Sequence, residues 1–104
     1  MQKYRLTLAA DADLVHIWNY TAKTWGQNQA GRYLKQLERC FVNLAKSPKK
    51  SRSRDEILPD LFSYQEGKHV IFFKKLPLDI IILRVLHERM DIPRHLGRSQ
   101  TSIL

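Results

Sequence analysis

The nine residues from 79 to 87, DIIILRVLH, constrain the fold of this 104-residue chain more than any other segment. Successive side chains of a strand point to opposite faces, and here apolar residues occupy both faces. Such a strand needs cover on both sides, so we predict a central strand with full cover on one face and partial cover on the other. Regular alternation would divide the strand into two sets, Ile81, Leu83, Val85 and His87 on one face and Ile80, Ile82, Arg84 and Leu86 on the other.

The first half of the chain predicts a short strand followed by a helical hairpin. Residues 4–8, YRLTL, alternate as a strand does, after which apolar residues recur at helical spacing. Asp11 and Asp13 fall in the first turn of that helix, where the helix dipole favours acids. Gly26 is placed to end the first helix, and a second runs from about 28 to 47 before Pro48 stops it. The predicted apolar faces carry Leu14, Ile17, Trp18, Thr21 and Trp25 on the first helix, and Ala30, Tyr33, Leu34, Leu37, Phe41 and Leu44 on the second.

The second half predicts a meander of strands. Residues 60–64, 68–74 and 79–87 read as strands, with turns at 65–67 and 76–78. The segment 46–56, KSPKKSRSRDE, has no periodicity and reads as a basic loop. The order is therefore β-α-α-β-β-β, an α+β fold in which a helical hairpin packs on one face of a small, mostly antiparallel sheet. We expect a single domain over residues 1–96 and a flexible tail over 97–104.

Composition restricts the kinds of site that the chain can carry. Cys40 is the only cysteine, so the chain cannot form an internal disulfide or a thiol cluster for zinc. His16, His69, His87 and His95 lack the spacing of metal ligands, and we predict no metal and no cofactor. No signal peptide or membrane-spanning run is evident, which predicts a cytoplasmic protein without a membrane partner.

The formal net charge of +8 indicates an anionic partner. Nucleic acid, an anionic membrane surface and an acidic protein all satisfy that requirement, and charge alone does not choose among them.

Two motifs and the order of elements carry a resemblance to a known group of proteins. GKHVIFF (67–73) is similar to the GxHxIFY strand of the RelE/ParE toxin superfamily of type II toxin–antitoxin systems. RVLHERMD (84–91) resembles the RILHxRMD signature that closes the ParE branch, and Trp25-Gly26 matches the corner of the hairpin. The resemblance extends over about residues 4–96 and implies the ParE-like fold already outlined.

The resemblance also implies partners. A ParE-like toxin is neutralised by a cognate antitoxin, expected to have an acidic tail and to form a toxin–antitoxin hetero-oligomer. ParE-like toxins act on DNA gyrase and trap it with cleaved DNA, so the DNA of that complex is a further possible contact. RelE-like relatives instead cut mRNA on the ribosome. The fold does not separate the two activities, so the residues of the site must.

Metal-free cleavage of RNA needs a base, an acid and fixed cations near the phosphate. Arg84, His87 and Arg89 could supply this chemistry, but regular alternation would place Arg84 and His87 on opposite faces of the strand. Position 62, often basic in the superfamily, is Phe62, and the tyrosine common at the end of the IFY strand is Phe73. We therefore predict no catalytic residues and a gyrase poison that is not an enzyme. The alternative is a ribosome-dependent mRNA endonuclease that uses Arg84, His87 and Arg89.

The predicted contact residues fall into two sets. We expect the target to contact Arg52, Arg54, Arg84, His87 and Arg89, and the antitoxin to contact Trp18, Trp25, Tyr33 and Phe41. Simpler roles stand beside these. The tryptophans could belong to the core of the hairpin, Arg84 could pair with an acid, and His87 could be structural. An inactive relative that only binds an antitoxin is a third possibility, and a general nucleic-acid-binding module is disfavoured because no recognisable motif of that kind is present.

Overall fold

The structure, a computed structural model, describes residues 4–47 and 51–90. Its elements are β1 (Tyr4–Leu6), α1 (Leu8–Trp25), α2 (Gln27–Lys46), β2 (Arg52–Ser53), β3 (Phe62–Glu66), β4 (His69–Lys75) and β5 (Ile80–His87). The strands form one sheet in the order β1-β5-β4-β3-β2, in which β1 runs parallel to β5 and the other pairs are antiparallel. The predicted α+β class and the helical hairpin are confirmed, whereas the predicted tail at 97–104 lies outside the described residues.

Several element boundaries differ from the predicted ones. β1 ends at Leu6 because Thr7 caps α1: its Oγ1 accepts the N–H of Ala10 at 3.0 Å and donates to the carbonyl of Leu83 at 2.7 Å. Leu8 therefore belongs to the helix and is exposed. The predicted loop at 46–56 contains the two-residue strand β2. The predicted turn at 65–67 starts later, because residues 65 and 66 belong to β3 and pair with β4.

Gly26 joins the two helices without an intervening loop, as predicted. Its φ of 99° and ψ of 162° lie in a region that is essentially restricted to glycine. Its N–H donates to the carbonyl of Ala22 at 2.9 Å and closes α1, while its carbonyl accepts the N–H of Ala30 at 3.1 Å and begins α2. One residue thus reverses the chain and forces α1 and α2 into an antiparallel pair.

Two apolar cores cover the two faces of β5, an interior strand that lies between β1 and β4. The hairpin covers one face, and the segment around Ile57, Leu58 and Leu61 covers the other. The predicted interior position of this strand is confirmed, but the partial cover predicted for one face is wrong, because Ile81, Leu83 and Leu86 on the second face are all buried.

A β-bulge interrupts β5 and alters which side chains share a face. Arg84 lies opposite Phe72 but Ile82 lies opposite Phe73, so Leu83 has no register partner on β4. The core under the helices contains Ile80, Ile82 and Val85, and the opposite core contains Ile81, Leu83 and Leu86. The predicted face assignment is therefore correct through Arg84, which reaches Asp13 of α1, and wrong from Val85 onward, where the alternation changes phase.

The bulge lies where β5 loses β1 as its neighbour. β1 ends opposite Ile82, and α1 satisfies the next backbone groups: Thr7 reaches the carbonyl of Leu83, and Asp13 accepts the N–H of Val85 at 2.9 Å. Hydrogen bonds from α1 and its cap replace the regular strand ladder at this point.

Neither described helix is long and apolar enough to cross a membrane.

Candidate functional site: a cavity between the hairpin and the central strands

A cavity of about 1010 Å³ opens between the helical hairpin and the ends of β4 and β5. Its size is at the upper end of the range of ligand sites, roughly 300–1,000 Å³. Its walls come from both helices, both strands and the residues that follow β5. The lining residues are Asp13, His16, Ile17, Tyr20, Thr21, Trp25, Gln29, Tyr33, Lys68, His69, Arg84, Val85, His87, Arg89 and Met90.

A buried ion pair between Arg84 and Asp13 forms part of this cavity. Nε and Nη2 of Arg84 each donate to a different oxygen of Asp13 at 2.8 Å, and the side chains are only 16% and 9% exposed. The hydrogen bond to Asp13 raises the pKa of Arg84. Asp13 was predicted as a partner of the helix dipole, but it lies further along α1 as a buried carboxylate. The charge of Arg84 is therefore largely compensated within the protein.

Tyr33, His69 and His87 form an aromatic cluster next to this pair. The hydroxyl of Tyr33 lies 2.6 Å from Nδ1 of His69 and 3.2 Å from the carbonyl of Glu66, and the two imidazole rings are 5.5 Å apart, edge to face. Burial, and next the neighbouring His87, lower the pKa of His69 to about 4, while burial raises the pKa of Tyr33. Both side chains are uncharged at neutral pH.

His87 presents its other ring nitrogen as a donor. The backbone N–H of Arg89 donates to Nδ1 of His87 at 3.1 Å, so Nδ1 carries no proton in the neutral ring. The proton is then on Nε2. His87 can accordingly donate a hydrogen bond to a ligand through Nε2.

Gly67 makes room for Tyr33 at the turn between β3 and β4. Its φ is +59°, and a Cβ at this position would lie 2.9 Å from the Tyr33 hydroxyl oxygen. The glycine of the GKHVIFF motif therefore has two requirements, a left-handed backbone and the space that Tyr33 occupies.

The structure brings together the three residues of the alternative catalytic set. Arg84, His87 and Arg89 all line the cavity, so the predicted separation of Arg84 from His87 is wrong. The physical reason is the bulge, which changes the phase of the strand between them.

The two remaining target residues lie elsewhere. Arg52 is in β2 at the far edge of the sheet, and Arg54 follows it. Arg54 donates to Glu56 at 2.8 Å and to Ser63 at 3.3 Å. The predicted target set thus forms two separate surfaces.

The predicted antitoxin set is also divided. Trp25 is 71% exposed and Trp18 is 37% exposed, so the alternative that placed both in the hairpin core is wrong for Trp25. Tyr33 lines the cavity. Phe41 requires a correction: it is completely buried and packs edge-on against Tyr4, with ring centroids 5.2 Å apart, and so offers no surface to a partner.

Sequence reasoning missed several lining residues. Asp13, His16 and Tyr20 follow one another at helical spacings of three and four, which places them on one side of α1. This spacing is visible in the sequence, but the apolar residues between them form the stronger helical pattern. Lys68 was also missed, because it is a single basic residue at the start of the predicted strand 68–74 and spacing does not show what it faces. Among residues 4–47 and 51–90 no three His, Cys, Asp or Glu side chains are grouped to hold a metal ion.

Comparison with known proteins identifies relatives along most of the chain. The profile of the family described as the ParE toxin of the type II toxin–antitoxin system parDE matches residues 4–92. Toxin ParE1 of Mycobacterium tuberculosis is 38% identical over 95 residues, which are 90% of this chain and 97% of that protein. Toxin ParE of Escherichia coli is 33% identical over 98 residues, 93% of this chain and 95% of that protein.

Two solved structures share the fold. A chain of the chromosomal ParDE system from P. aeruginosa has a TM-score of 0.69 at 19% identity, over 84% of this chain and 96% of the other. A chain of the RelBE2 toxin–antitoxin complex from Mycobacterium tuberculosis has a TM-score of 0.62 at 22% identity, over 83% and 96%. The fold is thus shared by ParE-type and RelE-type systems.

Proposed function

We propose, from the premise that this chain belongs to the ParE toxin family of type II toxin–antitoxin systems, that it binds DNA gyrase and traps the enzyme with cleaved DNA. The family match covers most of the chain, and the relatives are 33–38% identical over at least nine-tenths of it. The gyrase target follows from the resemblance to the ParE branch, above all from RVLHERMD at 84–91.

The ion pair of Arg84 with Asp13 is the observation that favours binding over catalysis. An arginine that stabilises a transition state must present its donors to the phosphate, whereas both Nε and Nη2 of Arg84 are bound to Asp13. Phe62 and Phe73, which replace a cation and a proton donor of the superfamily, stack on each other with centroids 5.9 Å apart. The cavity is therefore better suited to hold a macromolecule than to transfer protons.

We assign the target contact first to Arg89 and His87, at the open side of the cavity. Arg89 is exposed, and His87 carries a hydrogen-bond donor at Nε2. Arg84 does not contact the target directly in this proposal. Its pair with Asp13 supports the part of the cavity wall next to Arg89 and His87. Arg52, exposed on β2, is a separate second contact, with Arg54 beside it.

An acidic antitoxin is the second proposed partner. Leu8, Val15, Trp18 and Trp25 are exposed along α1 at spacings of seven, three and seven residues, which is the pattern of a helix that packs against another helix. The net charge of +8 favours association with an acidic chain. We expect Trp18→Ala to weaken binding of the cognate antitoxin at least tenfold in calorimetry, and Thr24→Ala, on the same helix but outside this strip, to leave it unchanged.

A supercoiling assay with purified gyrase tests the proposed activity. The toxin should block supercoiling and increase the amount of cleaved DNA recovered after denaturation of the enzyme. If a preparation that arrests cell growth does neither, gyrase is not the target.

A second candidate, mRNA cleavage on the ribosome, is favoured by one observation. The bulge in β5 places Arg84, His87 and Arg89 in one cavity with the Tyr33–His69 pair. Mapping of mRNA 5′ ends after brief induction would then reveal cuts in phase with codons. An intact transcript pool together with a DNA-damage response would exclude this activity.

A further inference from the structure

The cavity carries positive charge that the described part of the protein does not neutralise. Lys68 and Arg89 both line it and are exposed, and neither forms an ion pair with a carboxylate within residues 4–47 and 51–90. Among residues 4–47 and 51–90, Asp13 is the one carboxylate in the lining, and it is occupied by Arg84. Since that pair cancels, Lys68 and Arg89 are the cations of the lining that no ion pair within the described residues neutralises, although the carboxylates of Glu66 and Glu88 lie close enough to act on Tyr33 and His69.

The same cavity carries two exposed aromatic rings. Trp25, at the end of α1, and Tyr20, five residues earlier, are 71% and 69% exposed. Single exposed apolar residues are ordinary on protein surfaces. Here both rings line the same cavity as the cations, and both are exposed enough for stacking.

We propose that this cavity holds a short unpaired segment of a nucleic-acid strand, with a base stacked on Trp25 or Tyr20 and phosphates bound by Lys68 and Arg89. Stacking platforms combined with cations that follow the backbone are the general means of binding single strands. The Nε2–H of His87 adds a donor for a phosphate or base oxygen.

An unpaired strand fits the cavity better than a duplex does. Neighbouring base pairs cover both faces of each base in a duplex, so Trp25 and Tyr20 could not stack on it. An acidic peptide would satisfy the charge of Lys68 and Arg89 as well as a strand would. It is therefore the competing occupant, and the experiment must distinguish it from a nucleic-acid strand. A peptide of acidic residues has no flat ring to stack on Trp25 or Tyr20.

The inference deepens the proposed function and rests on it only for the origin of the strand. Cleaved DNA held by gyrase and mRNA on the ribosome could each supply one, and their shared chemistry is an unstacked base with its phosphate. Binding is measured without gyrase or ribosomes, so a toxin that poisons gyrase but binds no oligonucleotide rejects this inference alone.

The test is fluorescence polarisation of the full chain with labelled oligonucleotides of twelve nucleotides, dT12 and U12, and with a duplex of equal length. We expect single-strand binding that Trp25→Ala or Tyr20→Ala weakens about 5- to 150-fold, the range for loss of one stacked base. Lys68→Ala and Arg89→Ala should each lower the slope of log affinity against log salt by about 0.7. A preference for dT12 or for U12 identifies the source of the strand.

Matched controls separate the cavity from the general charge of the protein. Lys35→Ala and Arg32→Ala remove a charge from the exposed side of α2, outside the cavity, and should change affinity less than Lys68→Ala does. Trp18→Ala removes a tryptophan of α1 that does not line the cavity. Circular dichroism of each variant verifies that it is folded.

Four results would overturn the inference. They are equal losses for Lys35→Ala and Lys68→Ala, no loss for both Trp25→Ala and Tyr20→Ala, duplex affinity equal to that for the single strand, and no binding at all. Tighter binding of a labelled deca-glutamate peptide, with the same dependence on Trp25, would assign the cavity to an acidic peptide instead.

Discussion

Arg84 and Asp13 share two hydrogen bonds inside the cavity, and a second ion pair on the surface provides a direct comparison. Removing one partner of a buried pair costs about 3–5 kcal/mol, because the other charge remains buried. We therefore expect Asp13→Ala to lower the free energy of unfolding by about that amount in urea titrations. The pair of Arg5 with Asp79, at 3.3 Å and with the Arg5 side chain 61% exposed, is the control: Asp79→Ala should cost less than about 1 kcal/mol. Equal losses of unfolding free energy for Asp13→Ala and Asp79→Ala would show that the Arg84–Asp13 pair stabilises the protein no more than a surface pair does.

Gly67 and Tyr33 allow a second test at the level of single residues. Gly67→Ala introduces a Cβ 2.9 Å from the Tyr33 hydroxyl oxygen, at a φ that L residues adopt at a cost of about 1–3 kcal/mol. We expect it to destabilise the protein, and to do so less in a Tyr33→Phe background, where the oxygen is absent. A double-mutant cycle measures this coupling, which should be about 0.5 kcal/mol or more. Strict additivity would mean that only the backbone conformation matters.

In the helical hairpin, we predict that a glycine-to-alanine substitution has the opposite effect on stability. Gly31 is inside α2, and a Cβ there would lie 3.9 Å from the Trp18 ring, which is ordinary van der Waals contact. Gly31→Ala should raise the free energy of unfolding by about 0.5–1 kcal/mol, because alanine favours the helix and fits the space. Thermal unfolding of Gly31→Ala and Gly67→Ala, compared at equal concentration, should give shifts of opposite sign. A destabilised Gly31→Ala protein would mean that α1 and α2 pack more closely than described.

The elements were predictable from the sequence where a single period dominates. The apolar stripe of α2 and the interior position of β5 follow from the spacing of apolar residues. The reversal of the chain follows from the glycine at position 26. The bulge in β5 was not predictable in this way, because it depends on where β1 ends and on Asp13 reaching the N–H of Val85 across more than seventy residues. The surroundings of Trp25 were left open for a related reason: α1 has apolar residues on two sides, and periodicity does not show which side meets the sheet.

The stability of the whole molecule should depend on pH through His69. Its pKa is about 4 in the folded protein and about 6.5 in the unfolded chain, so between these values the unfolded state binds a proton that the folded state does not. The free energy of unfolding should therefore fall as pH decreases from 6.5 to 4, by about 1–2 kcal/mol from this group after allowance for its partial exposure. Urea titrations of wild type and His69→Gln at pH 7 and pH 4.5 isolate this contribution: the variant should lose less stability on acidification. A loss equal to that of wild type would assign the effect to other groups.

The distribution of charge over the molecule was only partly predictable. The total of +8 is read directly from the sequence, but the fold decides that Arg52 and Arg54 lie at one edge of the sheet while Lys68 and Arg89 line the cavity. Spacing along the chain does not reveal that Asp13 cancels Arg84. The candidate site therefore emerges from topology, although its signature, RVLHERMD, is visible in the sequence.

The central claim is that this ParE-family chain poisons gyrase through its cavity, and the yield of cleaved DNA in a reaction with purified gyrase measures it most directly. The comparison is wild type against Arg89→Ala and against Lys35→Ala, which removes an equal charge from outside the cavity. The account predicts abundant cleaved DNA with wild type and Lys35→Ala, and at least tenfold less with a folded Arg89→Ala protein. Full activity of Arg89→Ala, or no cleaved DNA with a wild-type toxin that arrests growth, would contradict it.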